Sequence, residues 1–364
     1  MSKTNSLYIG LMSGTSLDGI DAVLIRTSPN VELIETFFQP FPEPLHTSLL
    51  ELCAPGENEI DKLGIADNKL GELYAETTLA LLNKANVNAD TISAIGCHGQ
   101  TIRHRPGSQG FSLQIGSADV LSARTNIPVV SNFRNHDMAL GGQGAPLVPA
   151  FHADVFGSEK VRRAIVNIGG MANISIIDGK DVLLGFDTGP GNILMDGWHQ
   201  KYRDEKFDRN GEWAASGTPI ASLLDSFLQD DYFHLPAPKS TGREYFNDNW
   251  LAQHLAGDES REDIQATLLE LTAQSIASEI KKQHVDQCFI CGGGAHNAAL
   301  MMRLQFHLGD IKCSSTEELG IHPDWVEACA FAWLAHARLQ GTPGNAPVVT
   351  GASRSAILGA LYLP

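Results

Sequence analysis

The sequence predicts an α/β protein with two similar halves around a central cleft. Each half opens with a strand, a glycine-rich polar turn and a returning strand, over residues 7–25 in the first half and 164–177 in the second. Helical and strand-like segments alternate in the rest of each half, and folds of this kind bind ligands at the ends of their strands. The length of 364 residues fits two domains.

The composition limits the classes of partner. Lys and Arg number 26 against 42 Asp and Glu, which gives a formal net charge of −16. Nucleic acids and anionic membranes bind to basic surfaces, so we expect neither as a partner. Hydrophobic residues make up 43% of the chain, enough for a large core. There is no apolar run of about 18 residues and no N-terminal signal pattern, which predicts a cytoplasmic protein.

Hydrophobic patterning predicts the elements of the first half. Leucines that recur at helical spacing predict a helix over about 65–85, and short apolar runs predict strands. The predicted strands cover residues 7–11, 20–25, 93–97 and 127–130. The third of these strands is expected to end at His98, and a loop is expected over 132–137.

The second half follows the same pattern. Its predicted strands and helices cover residues 164–168, 174–177, 182–186 and 287–290, and about 264–281 and 324–339, respectively. Cys288 and Cys291 form a C-x-x-C pair, but the apolar residues between them and the glycines that follow favour a buried strand end over a redox or zinc site. The other four cysteines are scattered, unlike a disulfide framework.

The turn after the first strand has donors for phosphate but no lysine. It reads Met12-Ser13-Gly14-Thr15-Ser16-Leu17-Asp18-Gly19. Gly14 and Gly19 permit conformations that expose consecutive backbone amides, and three hydroxyls add further donors. Asp18 can hold a hydrated Mg²⁺ against the phosphates. The alternative is a plain Ser/Gly hairpin turn, and the pattern is not that of a Walker loop.

Asp187 is the candidate catalytic base. It follows an apolar strand and precedes the turn Gly189-Pro190-Gly191. A carboxylate in this position can deprotonate a nucleophile while turn amides, including that of Gly189, hold phosphoryl oxygens. The alternative is that Asp187 caps the helix that begins near Asn192. Asp196 lies inside that helix and is predicted to be structural.

Two further glycine turns favour nucleotide binding. Asn167 precedes Gly169 and Gly170, and its side chain can bond to phosphate or ribose. The run Gly292-Gly293-Gly294 offers a flat surface, without side chains, for a purine ring. Either turn alone is a weak signal because glycine turns after strands are common. Four such turns in order along one chain predict a nucleotide site.

Polar side chains in the first half are candidates for sugar binding. The groups are His98, Gln100, Arg134, Asp137 and Gln143. A structural role is an equal expectation for His98. Glu327 on the last long helix is a candidate second carboxylate, with a surface position as the equal alternative. The basic loop 238–244 either contacts a carboxylate or phosphate or is a solvated turn.

Six motifs together carry a specific resemblance. They are Gly10–Gly19, Cys97–Thr101, Gly141–Leu147, Asp187–Asn192, Lys239–Glu244 and Gly292–Asn297. In this order, from Tyr8 to Gly359, the chain resembles the anhydro-N-acetylmuramic acid kinases. The resemblance implies the actin/hexokinase/Hsp70-type fold, with two RNase-H-like lobes around a central ATP cleft. We expect one lobe at about 1–135, completed by the C-terminal helical region, and the other at 136–364.

The resemblance also implies a reaction. In it, 1,6-anhydro-N-acetylmuramic acid, ATP and water give N-acetylmuramic acid 6-phosphate and ADP, as part of peptidoglycan recycling. Met12–Gly19 corresponds to the ATP phosphate loop and Asp187 to the catalytic base. Gly292–Gly294 corresponds to the adenosine-side motif, and Glu327 to a sugar-side carboxylate. ATP with Mg²⁺ is the expected cofactor set, and a homodimer is the expected assembly.

Two other functions stay open. Another sugar or acyl kinase of the actin-like superfamily would use a substrate hydroxyl in place of water. A non-catalytic nucleotide switch or assembly protein would not need a base at a strand end beside a phosphate turn. Asp187 therefore counts against the second alternative.

Overall fold

The computed structural model describes residues 6–107, 109–237 and 239–364. The chain divides into two compact units, Met1–Phe151 with Trp325–Pro364, and His152–Asp324. Residues 1–5, which bear on the expected absence of a signal pattern, lie outside the described residues. Among the described residues, no helix is long and apolar enough to cross a membrane.

The first unit extends to Phe151, beyond the expected boundary at residue 135. The added segment, 136–151, is tied to the C-terminal part of the same unit through Asp137. Oδ1 of Asp137 accepts hydrogen bonds from Asn345 Nδ2 at 2.7 Å and from Thr350 Oγ1 at 2.8 Å. These bonds join positions more than 200 residues apart, which a local sequence pattern does not reveal.

The described residues form twelve strands and fourteen α-helices. The strands are β1 Leu7–Ser13, β2 Gly19–Arg26, β3 Glu32–Pro40, β4 Ile92–Arg105, β5 Phe111–Ile115, β6 Val129–Ser131, β7 Arg163–Ile168, β8 Met171–Asp178, β9 Asp181–Pro190, β10 Gln287–Cys291, β11 Lys312–Ser315 and β12 Ala360–Tyr362. The helices are α1 Glu43–Leu52, α2 Glu59–Ala85, α3 Ala118–Thr125, α4 Phe133–Ala139, α5 Val148–Phe156, α6 Ile193–Arg203, α7 Glu212–Ser216, α8 Ala221–Leu228, α9 Asp231–His234, α10 Asp248–His254, α11 Arg261–Lys282, α12 Ala298–Leu308, α13 Val326–Gln340 and α14 Pro347–Thr350.

The two units share one strand order. In the first unit the order is β3-β2-β1-β4-β6-β12, with β5 paired to β4, and in the second it is β9-β8-β7-β10-β11. The first three strands of each unit form an antiparallel meander. The next two then add in parallel beside the first strand of that meander. This is the RNase-H-like order, so the predicted fold class is confirmed for each unit.

Helix α13 packs directly on the first sheet. A Cβ atom at Gly10 of β1 would lie 1.9 Å from the carbonyl oxygen of Ala328, and one at Gly96 of β4 would lie 1.9 Å from that of Phe331. Only glycine permits this approach. The helix buries ten of its fifteen residues, many of them alanine, against the unit. This contact makes the C-terminal segment part of the first unit.

Helix α11 forms the centre of the second unit's core. Ser260 caps it, because its Oγ accepts a hydrogen bond from the Asp263 amide at 3.2 Å. The apolar positions at helical spacing are all buried, as predicted: Leu268, Leu271, Ile276 and Ile280. Aromatic side chains from the surrounding helices complete the same cluster, among them Trp198, Phe227 and Trp250.

Two strands run further than their sequence pattern predicts. β4 passes the expected end at His98, because its first part pairs in parallel with β1 and its second part pairs antiparallel with β5. β9 passes Asp187 and continues to Pro190, so that Asp187 lies inside the strand, opposite Asn173 of β8. Both extensions come from cross-strand pairing, which overrides the polar composition of the local segment.

Candidate active site

In the loop between β1 and β2, the backbone turns at Leu17. Leu17 has a φ of 61°, a conformation that a bulky side chain seldom adopts, and its side chain packs in the core of the first unit. Its amide donates a hydrogen bond to the Gly14 carbonyl at 3.3 Å. Neither Gly14 nor Gly19 has a positive φ, contrary to the expectation for this loop. Gly19 is required for packing, because a Cβ there would lie 2.3 Å from the Gln39 carbonyl oxygen.

The hydroxyl groups of this loop divide into one buried and two exposed. Ser13 is buried, and its Oγ forms a hydrogen bond of 2.7 Å with the Tyr74 hydroxyl and donates to the Gly99 carbonyl at 3.3 Å. Thr15 and Ser16 are exposed. The side chains accessible to phosphate oxygens are therefore those of Thr15 and Ser16, whereas Ser13 anchors the start of the loop.

Gln100 of β4 holds the loop Met12–Gly19 by a hydrogen bond, and Asp18 of that loop is exposed. Gln100 is fully buried, and its Nε2 donates to the carbonyls of Gly14 at 3.1 Å and Thr101 at 3.2 Å. Its Oε1 is buried without a hydrogen-bond partner among the described residues. Met12 is buried and Asp18 is exposed. The exposed carboxylate is an oxygen ligand of the kind that Mg²⁺ prefers.

His98, Arg134 and Glu327 of the first unit form an electrostatic cluster. Arg134 Nε donates to His98 Nε2 at 3.0 Å, and its NH1 group donates to the Gly144 carbonyl at 2.7 Å. Burial and the Arg134 charge hold the pKa of His98 well below its usual range. Burial lowers the pKa of Arg134 to about 10. Burial also raises the pKa of Glu327, and the Arg134 charge opposes that rise.

Arg134 lies on helix α4, in place of the expected loop at 132–137. The neighbouring Phe133 is buried, with its ring centroid 5.5 Å from that of Phe331, and this contact holds the helix on the core. Asp137 on the same helix is fully buried, and its Oδ2 accepts the Gly144 amide at 2.9 Å. Asp137 is therefore structural, and the expectation that it bonds a sugar is wrong.

Asp187 is held by three hydrogen bonds in the second unit. Its Oδ2 accepts the Thr241 amide at 3.0 Å, its amide donates to the Lys239 carbonyl at 2.9 Å, and its carbonyl accepts the Tyr232 hydroxyl at 2.6 Å. Burial raises the pKa of Asp187 to about 6, against the Thr241 bond, and the Glu244 charge adds to the rise. The carboxylate is thus ionised at neutral pH but accepts a proton more readily than an ordinary aspartate.

The alternative role for Asp187, as a cap of α6, does not fit these bonds. Its carboxylate is engaged by the Thr241 amide, and the residue that precedes α6, Asn192, has no side-chain cap. Asp196 on α6 carries a second perturbed carboxyl group, since burial and the charge of Asp208 raise its pKa to about 7.

Lys239 anchors the segment that bonds to Asp187. Its side chain is only 4% exposed, and Nζ lies 3.6 Å from Glu279 Oε1. Nζ also donates to the Tyr232 carbonyl at 3.1 Å and lies 4.9 Å from the centroid of the Tyr232 ring. Of the two roles expected for the loop 238–244, of which Pro238 lies outside the described residues, contact with a carboxylate is found at Lys239. That carboxylate belongs to the protein itself.

Glycine turns of the second unit meet at the ends of β7, β9 and β10. The Asn192 amide donates to the Gly169 carbonyl at 2.8 Å. Gly292 has a φ of 75°, and a Cβ there would lie 2.2 Å from Asn167 Oδ1. A Cβ at Gly293 would lie 3.6 Å from Asn192 Nδ2. The turns predicted from separate parts of the sequence are therefore neighbours in this unit.

Within these turns, only some backbone groups are accessible. Gly170 and Gly293 are exposed. Gly294 is buried, and a Cβ there would lie 2.4 Å from Ile168 Cγ2. Gly189 is buried within β9, opposite Ala172 of β8, so it does not form part of an open turn as expected.

The C-x-x-C pair ends a buried strand, as predicted. Cys288 and Cys291 are both buried in β10. A hydrogen bond to Cys313 and burial hold the pKa of the Cys288 thiol well above its usual range, which makes it a poor nucleophile and metal ligand.

The sequence gives no signal for two tyrosines, one in each unit, that hold candidate site residues. Tyr74 lies on the buried side of α2, 61 residues from its partner Ser13, and Tyr232 lies 45 residues from Asp187. From sequence alone, aromatic residues in amphipathic helices are predicted to be core residues. Only the hydroxyl partner, which depends on the tertiary fold, distinguishes these two from other core aromatics.

Two units of RNase-H-like strand order, one with a polar loop after its first strand and one with a buried carboxylate within its third, are typical of phosphotransferases of the actin-like class. The family model described as "Anhydro-N-acetylmuramic acid kinase" matches residues 6–364. The chain belongs to the anhydro-N-acetylmuramic acid kinase family.

Relatives support the same assignment over the full length. The chain is 50% identical to the anhydro-N-acetylmuramic acid kinase of Pseudomonas savastanoi pv. phaseolicola over 359 residues, which are 98% of each chain. It is 50% identical to the Shewanella pealeana protein of that name over 364 residues, 98% of this chain and 99% of the other. The Nitrosomonas europaea protein of that name is 48% identical over 359 residues, 98% of this chain and 99% of the other.

Solved structures show more distant similarity. The activator of 2-hydroxyisocaproyl-CoA dehydratase from Clostridium difficile with bound ADPNP aligns with a TM-score of 0.47 at 13% identity, over 92% of this chain and 96% of that one. The ROK hexokinase from Thermus thermophilus aligns with a TM-score of 0.37 at 17% identity, over 91% and 99%. The fold assignment given above rests on the strand order.

Proposed function

We propose that this chain uses ATP to open and phosphorylate 1,6-anhydro-N-acetylmuramic acid, giving N-acetylmuramic acid 6-phosphate and ADP in the recycling of cell-wall peptidoglycan. The observation that carries the proposal is the Asp187 carboxylate, with its pKa raised to about 6 and its Oδ2 bonded to the Thr241 amide. Membership of the kinase family supports the choice of substrate.

Asp187 is proposed to accept the proton of the attacking water. The water oxygen forms a bond to the anomeric carbon, and the bond from that carbon to O6 of the anhydro bridge breaks. O6 forms a bond to the γ-phosphorus, and ADP leaves. In glycoside hydrolysis an acid must protonate the departing oxygen. Here the phosphoryl group takes that place, so a single carboxylate is enough.

The loop Met12–Gly19 is proposed to bind the phosphates of ATP. Its accessible side-chain donors are Thr15 and Ser16, and the backbone turn at Leu17 adds amides. Asp18 is the residue proposed to hold Mg²⁺, since its carboxylate is exposed and is an oxygen ligand. When bound, the ion would neutralise part of the negative charge of the phosphates.

The nucleoside is assigned to the glycine turns of the second unit. Gly169, Gly170, Gly293 and the side chain of Asn167 are at least partly exposed there. Gly189, Gly292 and Gly294 are proposed to act by allowing close packing of these turns, rather than by direct contact.

The sugar is assigned to the polar groups of the first unit. Arg134 and Glu327 are partly exposed and carry opposite charge, as needed for a ligand with a carboxylate and several hydroxyls. His98 and Gln100 are buried and are proposed to position Arg134 and the phosphate loop, respectively. A homodimer and a cytoplasmic location remain part of the proposal.

The product formed in ¹⁸O-labelled water tests this function. Phosphorus and carbon NMR should show phosphate on O6 and labelled oxygen at the anomeric carbon, when product is trapped before ring-opening exchanges that oxygen. A kinase that uses a substrate hydroxyl would give phosphate without solvent oxygen, and a nucleotide switch would give no phosphorylated sugar. Either of these results would overturn the proposal.

A further inference from the structure

Three potential metal ligands lie together in the second unit, apart from Asp187. His296 Nε2 lies 2.7 Å from Asp324 Oδ1, and His322 Nδ1 lies 3.7 Å from Asp324 Oδ2. The two imidazole rings have centroids 5.5 Å apart. One ligand atom from each of the three residues lies within 4.8 Å of the other two. The chemistry proposed above uses none of the three.

The backbone fixes the two segments that carry these side chains. His296 ends the 3-10 turn Gly293–His296 after β10, and His322 and Asp324 lie just before α13. The amide of Gly292 donates to the carbonyl of Pro323 at 3.0 Å, so the segments are joined beside the side chains. The two backbone segments that carry the three side chains are therefore held together without a bound ion.

We propose that His296, His322 and Asp324 bind a transition-metal ion of the Zn²⁺ class. Two imidazole nitrogens and one carboxylate oxygen are a common set of ligands for such ions, with the remaining position open to water. The Asp324 amide donates to His322 Nδ1 at 3.4 Å, a long hydrogen bond that a bound ion would replace. His322 Nδ1 and Asp324 Oδ2 lie 3.7 Å apart, a separation that one cation bound to both atoms can span.

The present distances require only a small adjustment. Bonds of about 2.0–2.1 Å in a tetrahedral site hold ligand atoms roughly 3.3–3.5 Å apart. The 2.7 Å pair must open slightly, the 3.7 Å pair must close slightly, and the ligand atoms of the two imidazoles, now within 4.8 Å of each other, must reach the same range. The side chains of His296, His322 and Asp324 are 52%, 39% and 42% exposed, so they can rotate without disturbing the core.

The ligand set distinguishes this ion from the Mg²⁺ that accompanies ATP. Mg²⁺ prefers an octahedral shell of oxygens and retains its waters, whereas imidazole favours Zn²⁺, Co²⁺ and Ni²⁺. The net charge of −16 also favours cation binding in general. His296 belongs to the turn to which the nucleoside is assigned, but the proposed metal site does not depend on that assignment.

Co²⁺ titration of the full-length chain, after chelator treatment and in the absence of nucleotide, tests the site. We expect one ion per chain with the visible d–d absorption of a site of low coordination number, competition by Zn²⁺, and no competition by millimolar Mg²⁺. His322→Gln and His296→Gln should each weaken binding at least tenfold. His284→Asn, at an exposed histidine elsewhere in the unit, should bind like the parent protein.

Thermal unfolding of each variant without metal checks that the substitutions leave the fold intact. An absence of the visible absorption, or binding that His322→Gln leaves unchanged in a folded protein, would overturn the proposal. So would a sulfur-to-cobalt charge-transfer band, which would assign the ion to cysteine thiolates. Displacement of Co²⁺ by Mg²⁺ would also contradict it, because it would indicate an oxygen-only site.

Discussion

The amide of Thr241 donates a 3.0 Å hydrogen bond to Oδ2 of Asp187, the carboxylate that we propose as the base. The bond also limits the rise in the pKa of Asp187 that burial causes. The result is a carboxylate that is ionised at neutral pH and held by this hydrogen bond.

Replacing Asp187 with Asn should abolish turnover while ATP binding remains. The amide keeps the shape of the side chain and can still accept the Thr241 bond, but it cannot accept a proton from water. General-base catalysis contributes about 10²–10⁴-fold, so kcat should fall by at least 10². Steady-state kinetics and calorimetric titration with ATP measure the two effects.

Asp196→Asn is the matched control for this substitution. Asp196 lies in the same unit and also has a raised pKa, but it is assigned no role in proton transfer. We expect its kcat to stay within a few fold of the parent protein. If Asp196→Asn loses activity and Asp187→Asn keeps it, the base has been assigned to the wrong carboxylate.

The pH dependence of kcat/KM should report Asp187. Its pKa is raised to about 6, and only the ionised form accepts a proton, so kcat/KM should fall about tenfold per pH unit below about 6 and level off above it. The fall in kcat/KM at low pH should also be seen in Asp196→Asn. If that fall is absent in the variant, the titration belongs instead to Asp196, whose pKa is raised to about 7.

Removing the hydroxyl of Tyr74 should weaken ATP binding. Tyr74→Phe deletes the 2.7 Å bond to Ser13 Oγ at the start of the phosphate loop and retains the aromatic ring. One such hydrogen bond contributes about 1 kcal/mol, so KM for ATP should rise roughly fivefold with little change in kcat. Tyr245→Phe removes an exposed hydroxyl of the second unit and should leave KM unchanged. A fall in kcat at constant KM would contradict the positioning role.

Adding one methyl group at Gly10 should destabilise the first unit. A Cβ there would lie 1.9 Å from the Ala328 carbonyl oxygen, so α13 must move away from the sheet. We expect Gly10→Ala to lower the free energy of unfolding by about 3 kcal/mol. Gly64→Ala is the control, since nothing lies within 4 Å of its Cβ on α2, and it should raise stability by roughly 0.5–1 kcal/mol. Denaturant unfolding of both variants measures the difference.

The sequence by itself predicted the three longest helices and most of the strands, because these depend on local hydrophobic period, but it did not predict β3, β5, β11 or β12. Local sequence alone is enough to recognise the apolar runs at 7–11 and 164–168 and the helical spacing of Leu268 and Leu271. The sequence also indicated polar residues at or near the ends of the predicted strands, including Asp187. The order of the glycine turns and the motif resemblance then sufficed to predict the fold class and family.

The tertiary structure decided which polar groups are available for chemistry, because that depends on partners far away in the chain. Asp137 accepts hydrogen bonds from Asn345 and Thr350, and Lys239 forms an ion pair with Glu279. In the sequence, both Asp137 and Lys239 look like ligand-binding residues. Burial, which local sequence does not specify for a polar residue, raises the pKa of Asp187. Side-chain partners and desolvation are properties of the assembled core, so only the folded chain distinguishes a structural carboxylate from a catalytic one.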